Sequence, residues 1–127
     1  VSYKKIPKNL SKYEIALMPY GNWVSGRLKN INLLNSMSPL KMFDYLASSN
    51  IIIASNLSVY KHILKNKYNS ILIDNSKTNL WIEWINKIFK SSNTYSYLKK
   101  NAFKTAKKYT WGIRSEKIIK FANKEFF

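Results

Sequence analysis

The amino-acid sequence predicts an α/β fold in which helices flank a parallel β-sheet, and two neighbouring segments carry this prediction. Residues 38–47 (SPLKMFDYLA) combine a capping Ser, a Pro suited to a first helical turn and good helix formers, which predicts a helix starting at Ser38. Residues 51–55 (IIIAS) form an apolar run, which is typical of a strand buried on both faces of a parallel sheet. A helix that leads directly into such a strand is one step of a βαβ unit. We therefore expect the helix to point its N-terminus at an edge of the sheet.

The segment before this helix is predicted to contain a short helix, a strand and a long loop. Pro7 near a helix start, followed by apolar residues at helical spacing, predicts a helix over residues 6–13. Residues 15–19 (IALMP) then form a short strand that ends at its Pro. The loop over residues 21–37 is polar and weakly periodic, and loops of this length in compact domains are usually functional or mobile.

The segment after the buried strand is predicted to form one more helix and one more strand. Val59, Ile63 and Leu64 share one face of a predicted helix over about residues 57–67, and lysines occupy the opposite face. Residues 69–74 (NSILID) are predicted to form a turn followed by a short strand.

The C-terminal part of the chain is predicted to form three helices. Between residues 80 and 88, Leu, Trp and Ile recur at intervals of three and four, which predicts a helix with a broad apolar stripe packed in the core. A second helix over residues 98–106 has an apolar inner face and mostly outward lysines. Thr110 can cap a last helix that runs to the C-terminus, with Ile118 and Ala122 turned inward.

Composition limits the class of protein and its location. With 127 residues, the chain is about the size of one domain. It contains no Cys, which excludes disulfides and thiolate metal sites, and a reducing compartment such as the cytoplasm is therefore expected. No apolar run approaches the roughly 20 residues of a membrane-spanning helix, and the first residues do not form a signal peptide. Because the chain begins with Val, we expect it to be a fragment of a longer protein.

The formal net charge of +16 suggests three interpretations of the lysines. The default is a solvated basic face, and the alternative is peripheral contact with an anionic membrane surface. Nucleic acid is the least favoured partner because the only arginines are Arg27 and Arg114, whereas surfaces that bind phosphates and bases favour Arg. Lys, Ile, Asn and Tyr also share A/T-rich codons, so a biased genome would produce this composition without selection for a partner.

The sequence resembles a known family over nearly its whole length. Residues 38–60 closely resemble the nucleotide-sugar-binding segment of retaining glycosyltransferases (glycosyl transferases group 1, family 4-like), whose usual form is SPLKxFEYLAxGxPIIASDLP. Upstream, residues 13–20 (YEIALMPY) are similar to a strand of that family. Downstream, residues 109–111 (YTW) are similar to the tripeptide that opens its last helix.

The resemblance implies a fold and a reaction. It implies that residues 1–127 are part of the C-terminal, Rossmann-like donor-binding domain of a two-domain GT-B enzyme, with the N-terminal acceptor domain absent from this chain. The implied reaction in glycan biosynthesis transfers a sugar from a nucleotide diphosphate to a hydroxyl of a glycan or lipid-linked acceptor, with retention and without a metal or other cofactor. The last helix would brace the missing domain, and the fragment alone would be inactive. The alternative is a non-catalytic module that binds nucleotide sugars or nucleic acid.

The start of the helix at residues 38–47 is the predicted binding site. A first helical turn provides several N–H donors and the positive end of a dipole, which suits an anion. By resemblance, Ser38, Pro39 and the amides of Leu40 and Lys41 hold the diphosphate of the nucleotide sugar, and Lys41 adds a point charge. Asp44 would accept hydrogen bonds from both ribose hydroxyls, and no residue is assigned a catalytic role. The competing interpretation is that Lys41 and Asp44 are ordinary helix-surface residues.

Two differences from the family pattern and a set of candidate pocket residues complete the prediction. Asp44 stands where the family has Glu, and Ser36 stands where the family has a second Glu facing the donor sugar. Pro19, Tyr20 and Ser36 are candidate pocket residues, and Asn69 begins a segment similar to the one that closes the nucleotide pocket. The same helix is expected to turn its apolar residues to the core and Asp44 to its polar side. These predicted core residues are Leu40, Phe43, Leu46 and Ala47.

Overall fold

The computed structural model describes residues 2–25, 30–34, 36–37 and 39–126. The fold is α/β, as predicted, with a three-stranded parallel sheet and helices around it. The strands are β1 (Ile15–Met18), β2 (Ile51–Ser55) and β3 (Ile71–Ile73). The α-helices are α1 (Ile6–Leu10), α2 (Leu40–Ala47), α3 (Thr78–Lys90), α4 (Ser96–Ala106) and α5 (Trp111–Phe126). Short 3-10 turns cover Tyr3–Lys5, Ser58–Tyr60 and Ser92–Tyr95.

The central strand is β2, and both of its neighbours run parallel to it. Ile15 of β1 pairs with Ile51, and Ile71 of β3 pairs with Ile53. All five residues of β2 are buried, which confirms the prediction made from its apolar run. Each of its Ile side chains contributes about 1.5–3 kcal/mol on burial.

Two core clusters lie on the two sides of β2. In the first core cluster, Ile52 and Ala54 of β2 are buried with Met18 of β1 and with Met42 and Leu46 of α2. In the second core cluster, the alternate β2 residues are buried with residues of β3, α3 and α4. This cluster contains Ile51, Ile53, Ile71, Ile73, Ile88 and Leu98. The strict alternation of side chains along a strand explains why one short segment contributes to both clusters.

The helix predicted over residues 57–67 is wrong. Only Ser58–Tyr60 forms a 3-10 turn there, and Lys67 adopts a left-handed backbone conformation with φ of 58°. The physical reason is Asn69, whose side chain accepts a hydrogen bond from the Lys65 N–H (2.7 Å) and donates one to the Ile63 carbonyl (3.0 Å). These bonds occupy backbone groups that a continuous helix would use.

The helix predicted to start at Ser38 begins two residues later in the described chain. Leu40 is the first residue of α2 and Pro39 flanks it, whereas Ser38 lies outside the described residues. The predicted core face is wrong in part, because Leu40 and Ala47 are exposed. The residues of α2 that face β2 are Met42 and Leu46, which are one helical turn apart.

The three C-terminal helices form as predicted, but one of them packs differently. The apolar stripe of α3 packs on the second core cluster, and the inner face of α4 is buried. Thr110 caps α5, since its hydroxyl accepts a hydrogen bond from the Ile113 N–H at 3.3 Å. The inward position predicted for Ile118 is wrong, because this side chain is 58% exposed and neither core cluster contains a residue of α5. Ala122 is half-buried.

Within the described part of the chain, none of the helices has both the length and the apolar character needed to cross a membrane.

Candidate functional site

The carboxyl edge of the sheet brings together three loops that are far apart in the sequence. The Tyr20 N–H, just beyond β1, donates to the Ser55 hydroxyl at the end of β2 (2.9 Å), and this hydroxyl donates back to the Tyr20 carbonyl (2.8 Å). The Asn75 side-chain amide, just beyond β3, donates to the same carbonyl (3.3 Å) and to the side-chain oxygen of Asn22 (2.9 Å). Parallel strands place their carboxyl ends at one edge, where open α/β sheets bind ligands. The backbone of Tyr20 is therefore fixed by the loops after all three strands.

The N-terminus of α2 lies at this same edge. The ammonium group of Lys41 lies 5.5 Å from the centroid of the Tyr20 ring, within the range of a cation–π interaction. The Tyr20 ring also packs edge-on against the buried ring of Tyr60, with 6.3 Å between the centroids. Burial, and to a smaller extent the neighbouring Tyr20, raises the pKa of Tyr60, so its phenol stays neutral. The Lys41 ammonium group thus lies over the Tyr20 ring and places a positive charge near the start of α2.

A first cavity of about 610 Å³ opens between the end of β1 and α3. Its β1 side consists of Leu17, Pro19, Tyr20 and Gly21. Its other side consists of the loop before α3 and the side chains of Trp81 and Ile85. This volume is within the range of small-molecule sites. The structure therefore brings the predicted pocket residues Pro19 and Tyr20 together beside the aromatic face of α3.

A second cavity of about 400 Å³ lies between α2 and the beginning of α5. Asp44 is half-buried in it, beside Leu40 and Phe43. The Phe43 ring packs against the ring of Tyr109, with 5.7 Å between the centroids. The cavity also contains an exposed Trp111 and three cations, and these are Lys108, Arg114 and Lys117. A carboxylate, an aromatic plane and several cations in one cavity can bind a ligand that carries both hydroxyl and anionic groups.

The predicted site residues at the start of α2 therefore do not share one cavity. Leu40 and Asp44 line the second cavity, whereas the Lys41 ammonium group lies near the ring of Tyr20, a residue that lines the first. Pro39 is half-buried at the start of α2. Ser36 is exposed in the preceding loop, where its N–H donates to the Leu33 carbonyl at 2.9 Å.

Asn69 lies apart from both cavities and is part of the internal structure. It is 1% exposed, and besides its bonds to Lys65 and Ile63 its amide donates to the hydroxyl of Thr105 on α4 at 3.0 Å. The Thr105 hydroxyl in turn donates to the Asn101 carbonyl at 2.8 Å. A buried amide with this many partners holds the turn before β3 against α4.

Sequence reasoning missed two groups of residues in these cavities. Ser55 and Asn75 had a usable signal, because each is a polar residue at or just beyond the end of a predicted strand. Lys108, Arg114 and Lys117 had no local signal, since nothing near them in the sequence relates them to Asp44. The packing of α2 on α4, which continues in the contact of Phe43 with Tyr109, brings the two segments together.

One acidic residue near the first cavity has a shifted pKa. The Asp74 carboxylate accepts hydrogen bonds from the Ser76 hydroxyl (2.7 Å) and the Ser76 N–H (2.9 Å). These two bonds lower the pKa of Asp74, the hydroxyl making the larger contribution. In the described residues, no three His, Asp or Glu side chains are grouped so that they could hold a metal ion.

Comparison of the chain with protein-family models gave no match, and comparison with curated proteins gave none.

Proposed function

We propose that this chain is the donor-binding part of a retaining glycosyltransferase and binds a nucleotide-diphosphate sugar at the start of α2. The observation that carries the proposal is the position of this helix start at the carboxyl edge of a parallel sheet, with Lys41 over Tyr20. Asp44 lies in a cavity one helical turn from Leu40, a rise of about 6 Å along the axis. The resemblance of residues 38–60 to donor-binding segments supports the same site.

Each residue has a proposed role. The amides of the first turn of α2 and the Lys41 ammonium group stabilise the diphosphate, whose negative charge increases as the sugar leaves. Asp44 accepts hydrogen bonds from the ribose hydroxyls, and its half-buried position limits competition from water. Pro19 and Tyr20 form the wall on the side of the first cavity. The chemistry is electrostatic stabilisation of the leaving group, with no protein nucleophile assigned.

The complete reaction needs a second reactant site. On this proposal the acceptor, a glycan or a lipid-linked hydroxyl, binds to an N-terminal domain that belongs to a longer, cytoplasmic protein with two Rossmann-like domains. Catalysis depends on holding donor and acceptor together. We therefore expect the 127-residue chain to bind nucleotide diphosphates without transferring sugar. Sugar transfer by the isolated chain, measured with radiolabelled nucleotide sugars, would contradict this division of labour.

The direct test of the proposal is Asp44→Ala. Calorimetric titration with uridine diphosphate and guanosine diphosphate is expected to show a roughly tenfold to hundredfold loss of affinity, since charge-assisted hydrogen bonds contribute about 1.5–3 kcal/mol each. Asp44→Glu restores the residue of the resembling family and should keep or improve the affinity. Glu83→Ala, which removes an exposed carboxylate on α3, is the matched control and should leave binding unchanged.

Two outcomes would overturn the proposal. Unchanged affinity in Asp44→Ala would make Asp44 an ordinary surface carboxylate. If the unaltered chain bound no nucleotide diphosphate, the proposed binding site at the start of α2 would be wrong. The melting temperature of each variant is measured in parallel, because Asp44 is outside both core clusters and its replacement should not unfold the protein.

A further inference from the structure

The second cavity contains opposite charges that are not paired with one another. Helix α2 contributes the Asp44 carboxylate, whereas α5 and the residues just before it contribute Lys108, Arg114 and Lys117. Among the described residues, no ion pair joins Asp44 to any of these cations. An acceptor and several donors are therefore free for a ligand that spans the cavity from α2 to α5.

The position of Asp44 sets the direction of a bound nucleotide. In the function proposed above, the diphosphate lies at the start of α2, and the ribose hydroxyls bind Asp44 one helical turn further along. The base is attached at the other end of the ribose from the diphosphate, so it lies in the same cavity beyond Asp44. Apart from Leu40, Phe43 and Asp44 itself, the residues that line this cavity all fall within residues 108–117. The inference drawn below rests on the proposed nucleotide site and concerns the base that this site selects.

The walls of the second cavity suit a planar aromatic ring. The side chains of Leu40, Phe43 and Ile113 provide apolar surface, and the Phe43 ring packs against the ring of Tyr109. Nucleobases have two flat faces that stack on aromatic side chains and a polar edge that needs hydrogen-bond partners. The groups that face this polar edge decide which base is bound.

The charged groups at the α5 end of the cavity are hydrogen-bond donors. Lys and Arg side chains donate and cannot accept. The Arg114 guanidinium lies 5.4 Å from the centroid of the Trp111 ring, within the range of a cation–π interaction. A guanidinium over an aromatic ring keeps its planar fork of N–H groups, which matches two adjacent acceptors. The base edge that faces Arg114 should therefore present two acceptors side by side.

Two of the common bases present such a pair. Guanine presents O6 and N7 at an edge remote from the ribose, and cytosine presents O2 and N3. In adenine an amino group replaces O6, and in uracil an N–H separates the two carbonyl oxygens. The cytosine O2 lies next to the nitrogen that carries the ribose, so a guanidinium bound there would lie beside Asp44. The ion pair that this position would favour is not formed in the described part of the chain.

We propose that Arg114 is a specificity residue that selects guanine, and that the preferred donor is a guanosine-diphosphate sugar. Arg114 donates two hydrogen bonds to O6 and N7 of the base, while Asp44 accepts hydrogen bonds from the ribose. Trp111 positions the guanidinium. Lys108 and Lys117 add positive charge around a ligand whose net charge is negative.

The test measures the affinity of the chain for a set of nucleoside diphosphates by calorimetric titration. Guanosine diphosphate should bind roughly tenfold or more tightly than the adenosine, cytidine and uridine diphosphates, because a bidentate contact discriminates by about this factor. Inosine diphosphate keeps O6 and N7 and should bind within about threefold of guanosine diphosphate. 7-Deazaguanosine diphosphate lacks the N7 acceptor and should bind roughly tenfold more weakly.

Substitutions of Arg114 separate its fork from its charge. Arg114→Lys keeps the positive charge but loses the fork, so the affinity for guanosine diphosphate should fall roughly tenfold and that for uridine diphosphate much less. Arg114→Ala should abolish the preference for guanine as well. Lys120→Ala is the matched control, since it removes one positive charge from an exposed position of α5 that does not line the cavity. It should bind every nucleotide within twofold of the unaltered chain, and circular dichroism verifies that each variant is folded.

The outcomes distinguish failure of this inference from failure of the nucleotide site. Equal affinity for all the bases, or tightest binding of another base, would overturn guanine selection. The nucleotide site would then still stand if Asp44→Ala weakened binding of every nucleoside diphosphate. A guanine preference that persists in Arg114→Lys and Arg114→Ala, or that is the same for the 7-deaza analogue, would show that Arg114 does not read the base. Absence of binding of every nucleoside diphosphate would overturn the site and the inference together.

Discussion

Helices α3 and α5 both carry large apolar side chains, but most of these side chains are packed in the core on α3 and exposed on α5. On α3, Trp84 and Ile85 pack against the second core cluster and Ile88 is fully buried within it. On α5, Ile118 and Phe121 are exposed. Both helices have apolar side chains, and the difference is what these side chains contact. Hydrophobic periodicity thus identifies the buried or binding face of a helix but not its partner.

The position of each helix relative to the sheet explains the difference. Helix α3 follows β3 after a short turn and folds back over the strand it has just left. Its Trp84 also packs edge-on against Tyr95, with 5.8 Å between the ring centroids, and carries the Lys87 ammonium group over its face at 5.3 Å. The ion pair with Glu83 raises the pKa of Lys87. Helix α5 follows another helix, and none of its described residues belongs to either core cluster.

The largest expected difference between the two helices is in hydrogen exchange. Amides in the last two turns of α3 should exchange at least about 10³-fold more slowly than amides in the middle of α5, because opening α3 exposes the core whereas α5 opens alone. Mass spectrometry of the isolated chain measures the exchange rates of both helices in one experiment. Equal protection would mean that α5 is packed in solution.

The next largest difference is expected in the free energy of unfolding when one Ile in each helix is replaced by Ala. Ile88→Ala leaves a cavity in the second core cluster and should lower the free energy of unfolding by about 2–5 kcal/mol. Ile118→Ala removes an exposed side chain and should change it by less than about 0.5 kcal/mol. Urea denaturation measures both variants. A large decrease in the free energy of unfolding in Ile118→Ala would show that the Ile118 side chain packs against other residues of the folded chain.

The cap of α5 provides a smaller, local test. Thr110→Ala removes the acceptor for the Ile113 N–H and should destabilise α5 by about 1 kcal/mol. Because α5 is not packed on the sheet, the loss should appear as lower helix content in circular dichroism with an unchanged unfolding midpoint. Thr110→Ser keeps the hydroxyl and is the control. A shift of the midpoint would indicate that α5 folds cooperatively with the core.

The smallest expected effect concerns the turn before α3, where the Asp74 carboxylate accepts two hydrogen bonds from Ser76. Ser76→Ala removes the stronger of the two hydrogen bonds to Asp74 and should raise the pKa of Asp74 toward its ordinary value. Because the folded-state pKa is lowered, ionised Asp74 stabilises the fold at neutral pH. This contribution is lost as the pH falls through the folded-state value.

Carboxyl-carbon NMR titration gives the pKa of Asp74 directly. A denaturation series between neutral and acid pH should show Ser76→Ala converging with the unaltered chain in acid. An unchanged pKa of Asp74 in Ser76→Ala would show that the Ser76 backbone N–H alone lowers this pKa.

The local sequence pattern correctly predicted those elements whose hydrogen bonds and buried side depend on residues nearby in the sequence. The five buried residues of β2 and the apolar stripe of α3 are cases of this kind. The helix over residues 57–67 failed because the side chain of Asn69, beyond the predicted segment, takes its backbone partners. Asn69 itself was predicted to be a pocket residue, yet its partner Thr105 is 36 residues away along the chain.

By itself, the sequence determined the fold class, the parallel sheet and the location of the α2 start at a sheet edge. Those properties depend on periodicity, on capping and on the geometry of a βαβ unit, in which the helix starts at the edge where the preceding strand ends. Only the tertiary structure decided that Lys41 lies over Tyr20 while Asp44 shares a cavity with Arg114, and that Ile118 and Phe121 of α5 are exposed. The physical reason is that residues on neighbouring turns of one helix point in different directions, and what each meets depends on elements placed there by the rest of the fold.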